Sequence, residues 1–263
     1  MIATGVLAPG AKELTPSQGK GVNRTLRGQV YLLDGTSVTA YVKLLQSKQF
    51  ANELLAGSLA RLVGLAAPAN YVVKVLARDY PSLSWPPGVT EGYAFGSQAC
   101  PGQPVARRFF GEGPGFLRWF VDSVRGWRQC VAFDVWVGNG DRHLQNLLLD
   151  GTTAWLIDHG HCFTGPEWTA TDLIPGKDCP SRLLDDLGAF VTVAHRQQVM
   201  TDTVEMKARC DVTDLSGALH DAGVERMLTA VEMDAVLLYL EGRRRDLCGL
   251  VGRQVGLPVL PIP

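Results

Sequence analysis

The stretch VGNGDRHLQNLLLDGTTAWLIDHGHCF, Val137 to Phe163, decides the reading of this chain. It places Asp141, His143, Asn146, Asp158, His159 and His161 beside two apolar runs, Leu147-Leu148-Leu149 and Trp155-Leu156-Ile157. Gly138-Asn139-Gly140 does not extend a helix comfortably, so Asp141 falls in a loop. Leu147 to Leu149 reads as a short strand, Asp150-Gly151 as a tight hairpin turn, and Thr152 to Ile157 as the returning strand. That hairpin brings Asn146, where its first strand begins, close to Asp158, where its second ends, and Asp141 reaches the same place from the preceding loop. Two hard-oxygen groups and a third, free carboxylate make a set suited to metal-assisted phosphoryl transfer. An aspartate orients and deprotonates an attacking hydroxyl, and the other two hold Mg²⁺ against phosphates.

Upstream, residues 28–45 (GQVYLLDGTSVTAYVKLL) form two β-branched, aromatic-rich runs around Asp34-Gly35, which read as an antiparallel pair. Ser47 precedes a helical pattern in which Phe50, Leu54, Leu55, Leu59, Leu62 and Val63 recur at three- and four-residue spacing, with Gly64 to end it. Strand-like runs follow at 70–77 and 91–97, separated by a loop carrying Pro81, Pro86, Pro87 and Gly88. A second Pro/Gly-rich stretch, Pro101 to Gly115, marks a boundary, which divides the chain into 1–97 and 98–263. Phe116 to Val137 reads as helix broken or bent near Gly126. From about 181 to 252 the pattern is mostly helical, with apolar sets such as Leu183, Leu184 and Leu187, then Val231, Val236, Leu237 and Leu240. The outline is α+β: a β-rich first lobe and a mainly helical second lobe.

A chain of 263 residues can bury a sizeable core in one large domain or two lobes of roughly 100 to 150 residues. With 25 Lys+Arg against 26 Asp+Glu, nothing argues for a broad nucleic-acid or anionic-membrane surface, and no direct nucleic-acid binding is expected. Six scattered cysteines without a CxxC pair fit free thiols in a reducing compartment. The N-terminus has no basic and long apolar segments of the secretory kind, and no run reaches about 18 apolar residues, so the expectation is a cytoplasmic protein without a membrane span.

The order Asp, four residues, Asn, a hairpin, then Asp before Gly is that of protein-kinase catalytic and metal loops. Asp141-Arg-His-Leu-Gln-Asn146 and Asp158-His-Gly160 resemble the HipA-like kinases and, more distantly, the phosphatidylinositol kinases, in which Arg-His follows the aspartate. The resemblance spans roughly residues 15–165 and implies a bilobed protein-kinase-like fold that binds ATP and Mg²⁺. It implies Asp141 as proton acceptor, Asn146 and Asp158 as metal ligands, and a strand lysine gripping phosphates with a helix glutamate holding it. Lys43 lies in AYVKLL and Glu53 ten positions later in the helix. A phosphate-approaching turn is expected at Gly19 and Gly21, with self-phosphorylation at Ser17 or Thr15 a further expectation. Phe95-Gly96-Ser97 matches the segment that joins the lobes near the adenine, where Phe95 and Ser97 would contact nucleotide largely through backbone. Full-length HipA toxins are considerably longer, so their extra N-terminal module is expected to be absent. The implied acceptor is a serine or threonine of a protein substrate, and a regulatory partner protein fits the toxin-like members.

Other classes stay open. One is an ATP-binding pseudokinase or toxin-like regulatory module; others are a phosphatidylinositol-type kinase and a nucleotidyl-transferring enzyme on the kinase fold. A zinc site from His143, His159, His161, Asp158 and Cys162 is disfavoured, because residues 158 and 159 point to opposite faces if extended and no HxxxH or HExxH helix is present. His143 reads as a loop residue bonding backbone, Arg142 as pairing with either a carboxylate or a phosphate, and Cys162 as a small buried hydrophobe. Trp119, Trp127 and Trp136, at near-helical spacing, read as core.

Overall fold

A computed structural model describes residues 1–14 and 23–257. Gly19, Gly21, Thr15 and Ser17 lie outside the described residues. The first part of the chain is a sheet made of β1 (Ala3–Leu7), β2 (Lys12–Glu13), β3 (Thr25–Leu32), β4 (Ser37–Lys43), β5 (Asn70–Leu76) and β6 (Glu91–Gln98), with α1 (Ser47–Leu62) between β4 and β5. Its order is β1-β5-β6-β4-β3-β2, and β1 also pairs with β3, so the sheet closes on itself. The β3–β4 hairpin turns at Gly35 (φ +85°), as the Asp-Gly dipeptide requires.

Alternation sets the faces. Ala40 and Val42 on β4 point inward with Leu7, Leu26, Val30, Val73, Val75 and Ala94, a core enclosed by the sheet. Lys43, the next residue on β4, therefore faces outward. There it meets α1, which is buried on nearly every face because it lies between the sheet and the helices that follow. Phe50, Leu54, Leu55 and Leu59 on α1 join a second, larger core that runs to the end of the described chain.

β1 has no counterpart in the sequence reading. Its five residues include a glycine and form too short a run to stand out, and its parallel pairing with β5 joins residues about seventy positions apart, which no local pattern reports. Gly5 is what the site demands: a Cβ there would lie 2.5 Å from Val30 Cγ1 and 2.8 Å from the Tyr31 carbonyl oxygen.

The remainder is mostly helical. After β7 (Gln103–Pro104) come α2 (Val105–Glu112), α3 (Pro114–Ser123) and α4 (Gly126–Val137), then the hairpin β8 (Leu147–Asp150) and β9 (Thr153–Leu156). α5 (Arg182–Leu187), α6 (Val193–Asp211), α7 (Leu215–Asp221), α8 (Ala230–Arg245) and α9 (Leu247–Val255) follow. The Pro101–Gly115 stretch thus contains a helix rather than only a loop. Its glycines and prolines sit at the ends of α2, while Val105 and Ala106 bury one face. One further expectation is corrected. Trp119 is 39% exposed on the outer side of α3, beneath the Arg108 guanidinium, whereas Trp127 and Trp136 are fully buried on α4. Val231, in the first turn of α8, is 70% exposed, while Val236 and Leu240 are buried. The break before Gly126 is as expected: α3 ends at Ser123, and the extended Val124 separates it from α4. No helix among the described residues is long and apolar enough to cross a membrane.

Candidate functional site

α4 delivers the polar loop. From Cys130 to Val137 the helix is buried and apolar apart from Asp134, and it stops at Gly138 in the left-handed conformation (φ +67°). A side chain there would collide with Tyr239 Oη, so glycine is needed for both backbone and space. Asn139 Nδ2 donates to Asp134 Oδ1 (3.1 Å), and Asn139 Oδ1 accepts the Asp141 backbone N–H (3.2 Å). A short 3₁₀ turn, Leu144–Asn146, is fixed by His143 Nδ1, which accepts the Gln145 N–H (3.2 Å). His143 thus bonds backbone, as read from the sequence.

The hairpin does what its turn dipeptide implies. Leu147 registers with Leu156, and the Ile157 N–H donates to the Asn146 carbonyl (3.2 Å), so Asn146 stands opposite the residue preceding Asp158. The bonds at Asn146 run through its backbone; its side-chain amide has no partner among the described residues. Asp158 itself has φ +62°, a left-handed conformation that aspartate adopts more readily than most residues with a side chain but still at roughly 1–3 kcal/mol of local strain. The turn away from extended backbone leaves its carboxylate 41% exposed while His159 goes into the core.

Lys43, Glu53 and Asp158 meet. Lys43 Nζ donates to Glu53 Oε1 (2.9 Å) and to Asp158 Oδ1 (3.0 Å), and Glu53 Oε2 accepts the His159 backbone N–H (2.8 Å). Burial alone would push the Lys43 ammonium down, but the Glu53 and Asp158 carboxylates outweigh it and hold it above the ordinary lysine range. Burial likewise opposes ionisation of Asp158, yet Lys43 keeps its carboxyl well below the usual carboxylate range. The Lys43 ammonium also sits 5.9 Å from the Phe95 ring centroid. Phe95 and Ser97 lie within β6 rather than in a connecting segment: Phe95 registers with Lys43 and Val72, Ser97 with Tyr41 and Asn70. Their backbones belong to a strand with neighbours on both sides.

Arg142, left undecided between carboxylate and phosphate, pairs with a carboxylate. It is 1% exposed, and its guanidinium reaches both oxygens of Asp134, with Nε 3.1 Å from Oδ2. It also donates to the carbonyls of Asn146 (3.3 Å) and Ile157 and to His159 Nδ1 (3.1 Å). Arginine only donates, so His159 Nδ1 accepts, which makes the imidazole neutral. Burial and the Arg142 charge both hold the His159 pKa well below the ordinary histidine value. Among the described residues no group of three or more His, Cys, Asp or Glu side chains is placed to share an ion.

Sequence reasoning missed three residues. Asp134 left a signal: a lone carboxylate in the apolar run CVAFDVWV calls for a buried partner. Asn52, one residue before Glu53, is fully buried; its Nδ2 donates to the carbonyls of Gly160 (2.9 Å), Cys162 (2.9 Å) and Gly165 (3.0 Å). Arg182 Nη1 donates to Asp141 Oδ1 (2.7 Å) from the first position of α5. No local pattern announces the last two, since both contacts join distant segments.

A sequence profile described as HipA-like kinase matches residues 24–172, which include every site residue from Lys43 to Asp158. The chain belongs to the HipA-like kinase family. No curated protein matches it by sequence. Among solved structures, this HipA-like kinase is similar to a Helicobacter pylori proinflammatory kinase, CtkA. The two share 9% identity and a TM-score of 0.50 over 87% of this chain and 94% of that one. That likeness concerns the fold. A Golgi casein kinase aligns at 11% identity and TM-score 0.46, over 97% of this chain and 73% of its own. The CtTel1 dimer aligns at 11% identity and TM-score 0.46, over 94% of this chain and 12% of its own.

The donor set suits the groups a kinase uses. Asp158 offers an ionised, part-exposed carboxylate and Asn146 an amide oxygen without a protein partner among the described residues, both hard ligands for Mg²⁺. Lys43 is a cation held in place by two carboxylates, a charge suited to phosphate.

Proposed function

We propose that this HipA-like kinase transfers the γ-phosphate of ATP to a hydroxyl, that of a serine or threonine in a protein. One observation carries the reading: a single ammonium, Lys43 Nζ, joins a helix carboxylate (Glu53, 2.9 Å) to the carboxylate at the hairpin's end (Asp158, 3.0 Å). A purely structural ion pair would need neither the third group nor the strained backbone at Asp158.

In this account Glu53 holds Lys43 so that its charge faces the nucleotide phosphates. Asn146 and Asp158 would hold Mg²⁺, which when bound neutralises charge on the phosphate oxygens. Asp141 accepts the proton of the attacking hydroxyl as the new O–P bond forms and the bond from the γ-phosphorus to the bridging oxygen of ADP breaks. Arg142 and Asn52 act at one remove, by fixing the loops that carry these groups. From the sequence alone, a turn at Gly19 and Gly21 is proposed to approach the phosphates, while Phe95 and Ser97 are proposed to lie on the nucleotide side, with the Phe95 ring beside Lys43. We further propose two lobes, 1–97 and 98–263, with the nucleotide between them; the separate core inside the closed sheet supports this, while α1 belongs to the larger core. Six free thiols support a reducing, cytoplasmic location.

The test is transfer of label from γ-labelled and from α-labelled ATP to a pool of cell proteins and lipids, with and without Mg²⁺. Mg²⁺-dependent γ-label on serine or threonine is expected. Label only on lipid, or transfer of α-label, would replace the acceptor or the reaction proposed.

A further inference from the structure

Arg182 lies outside the residues matched to the family, yet it touches the central carboxylate of the site. Its backbone is fixed. Ser181 Oγ caps α5 by accepting the Leu184 N–H (3.3 Å), and Asp186 Oδ2 on the same helix accepts the Leu144 N–H (3.3 Å), tying α5 to the loop that carries Asp141. The chain just before it runs along Gly140, where a Cβ would lie 3.5 Å from the Pro180 carbonyl oxygen. Its head, by contrast, is 53% exposed, and Asp141 is its one side-chain partner among the described residues. Arg142 and Arg243 are held differently, buried with several carbonyl acceptors each.

An exposed pair of this kind is weak. It nonetheless occupies one oxygen of the carboxylate that an attacking hydroxyl must reach to within hydrogen-bond distance. Whatever brings that hydroxyl must therefore accommodate a guanidinium beside it. An acceptor with an anionic group next to the hydroxyl gives Arg182 a charge-assisted, two-pronged partner in exchange for Asp141. A neutral acceptor gives nothing in exchange, and a basic one is repelled.

We infer that Arg182 selects the acceptor: it rests on Asp141 in the free protein and recognises a carboxylate or phosphate adjacent to the accepting hydroxyl, so that acidic serine or threonine segments are the preferred substrates. The inference rests on the kinase reading above, with Asp141 as proton acceptor. Arg182 is a specificity residue that meets substrate, not part of the phosphate-transferring set.

The experiment uses the full chain, Mg-ATP and a set of serine and threonine peptides flanked by Asp/Glu, by phosphoserine, by Ala or by Lys. Wild type is expected to favour acid- or phosphoserine-flanked over lysine-flanked peptides by about tenfold in kcat/KM, carried by acceptor KM. Arg182→Ala is expected to reduce that preference to within about twofold with ATP KM unchanged, and Arg182→Lys to keep part of it. A preference that survives Arg182→Ala overturns the assignment. So does a uniform rise in transfer to all peptides on Arg182→Ala, which would make the arginine a cover over the base. If no peptide accepts phosphate while nucleotide still binds and the γ-label still reaches another acceptor, the acidic-segment class falls and the kinase reading stands. If nucleotide does not bind with any divalent metal, the kinase reading itself falls.

Discussion

Arg142 and Asp134 offer the sharpest separation of stability from function. The two side chains are 1% and 5% exposed and share a guanidinium–carboxylate contact at 3.1 Å. Arg142→Met leaves the Asp134 carboxylate buried with only Asn139 Nδ2 and the weak Cys130 Sγ–H donor, both 3.1 Å away. It also removes the side-chain donor to the Ile157 carbonyl. Breaking one side of such a pair costs about 3–5 kcal/mol, a large share of the ~5–15 kcal/mol that holds a typical domain together. Asp134→Asn costs a similar amount, because it strands the guanidinium instead. The double variant strands neither charge, so its cost falls short of the sum by at least about 2 kcal/mol. Phosphate transfer is not expected to recover with it, since the bonds from Arg142 to the Asn146 and Ile157 carbonyls, which fix the backbone at the two proposed metal ligands, are gone in both backgrounds. Urea unfolding of the four proteins gives the coupling energy, and a γ-phosphate transfer assay on the same preparations gives the activity. Additivity within about 0.5 kcal/mol would refute the buried-pair account. Full activity in the double variant would refute the positioning role.

Three other consequences are open to direct measurement. Asn52→Ala should lower stability by about 2–4 kcal/mol, because three carbonyls and the Trp168 Nε1–H lose their shared partner. Thermal unfolding would show this as a fall of several degrees, and an unchanged midpoint would contradict it. Cys210 is buried and its thiol is pushed up to about 12, first by burial and then by Asp211, so thiolate is scarce near neutrality and grows only as pH approaches that value. Iodoacetamide at pH 8 should therefore leave Cys210 unmodified in the folded protein and modify it in urea, and equal labelling in both would contradict the burial. Gly5→Ala should destabilise by about 1–3 kcal/mol, because a methyl 2.5 Å from Val30 Cγ1 forces β1 and β3 apart; a stability equal to wild type would mean that the closure of the sheet is not needed.

Part of the candidate site was legible. Asn146 and Asp158 could be placed near one another because a two-residue turn fixes the hairpin's register, and register fixes which residues meet. Lys43 and Glu53 could be paired because one sits on a strand with clear alternation and the other on the helix that follows at once. What escaped depends on contacts between distant segments. β1 pairs with β5 about seventy residues on, and Arg182 meets Asp141 41 positions back. Asn52 looks like any polar residue on a helix until the loop at 160–165 folds over it. α2 was hidden by glycines and prolines that stand at its ends, and Trp119 by a periodicity that puts apolar residues on one face without saying how wide the buried stripe is. The opposite orientations expected of residues 158 and 159 did emerge, although through a left-handed turn at Asp158 and not through extended backbone.

The most direct test of the central claim compares wild type with Asp158→Asn and Asp141→Asn for Mg²⁺-dependent ATP binding and for γ-phosphate transfer. The account predicts that Asp158→Asn loses metal-dependent nucleotide binding. It predicts that Asp141→Asn binds nucleotide as wild type does but transfers at least about 10²-fold more slowly. A wild-type protein that binds no nucleotide with any divalent metal, or an Asp141→Asn protein that transfers at the wild-type rate, would contradict it.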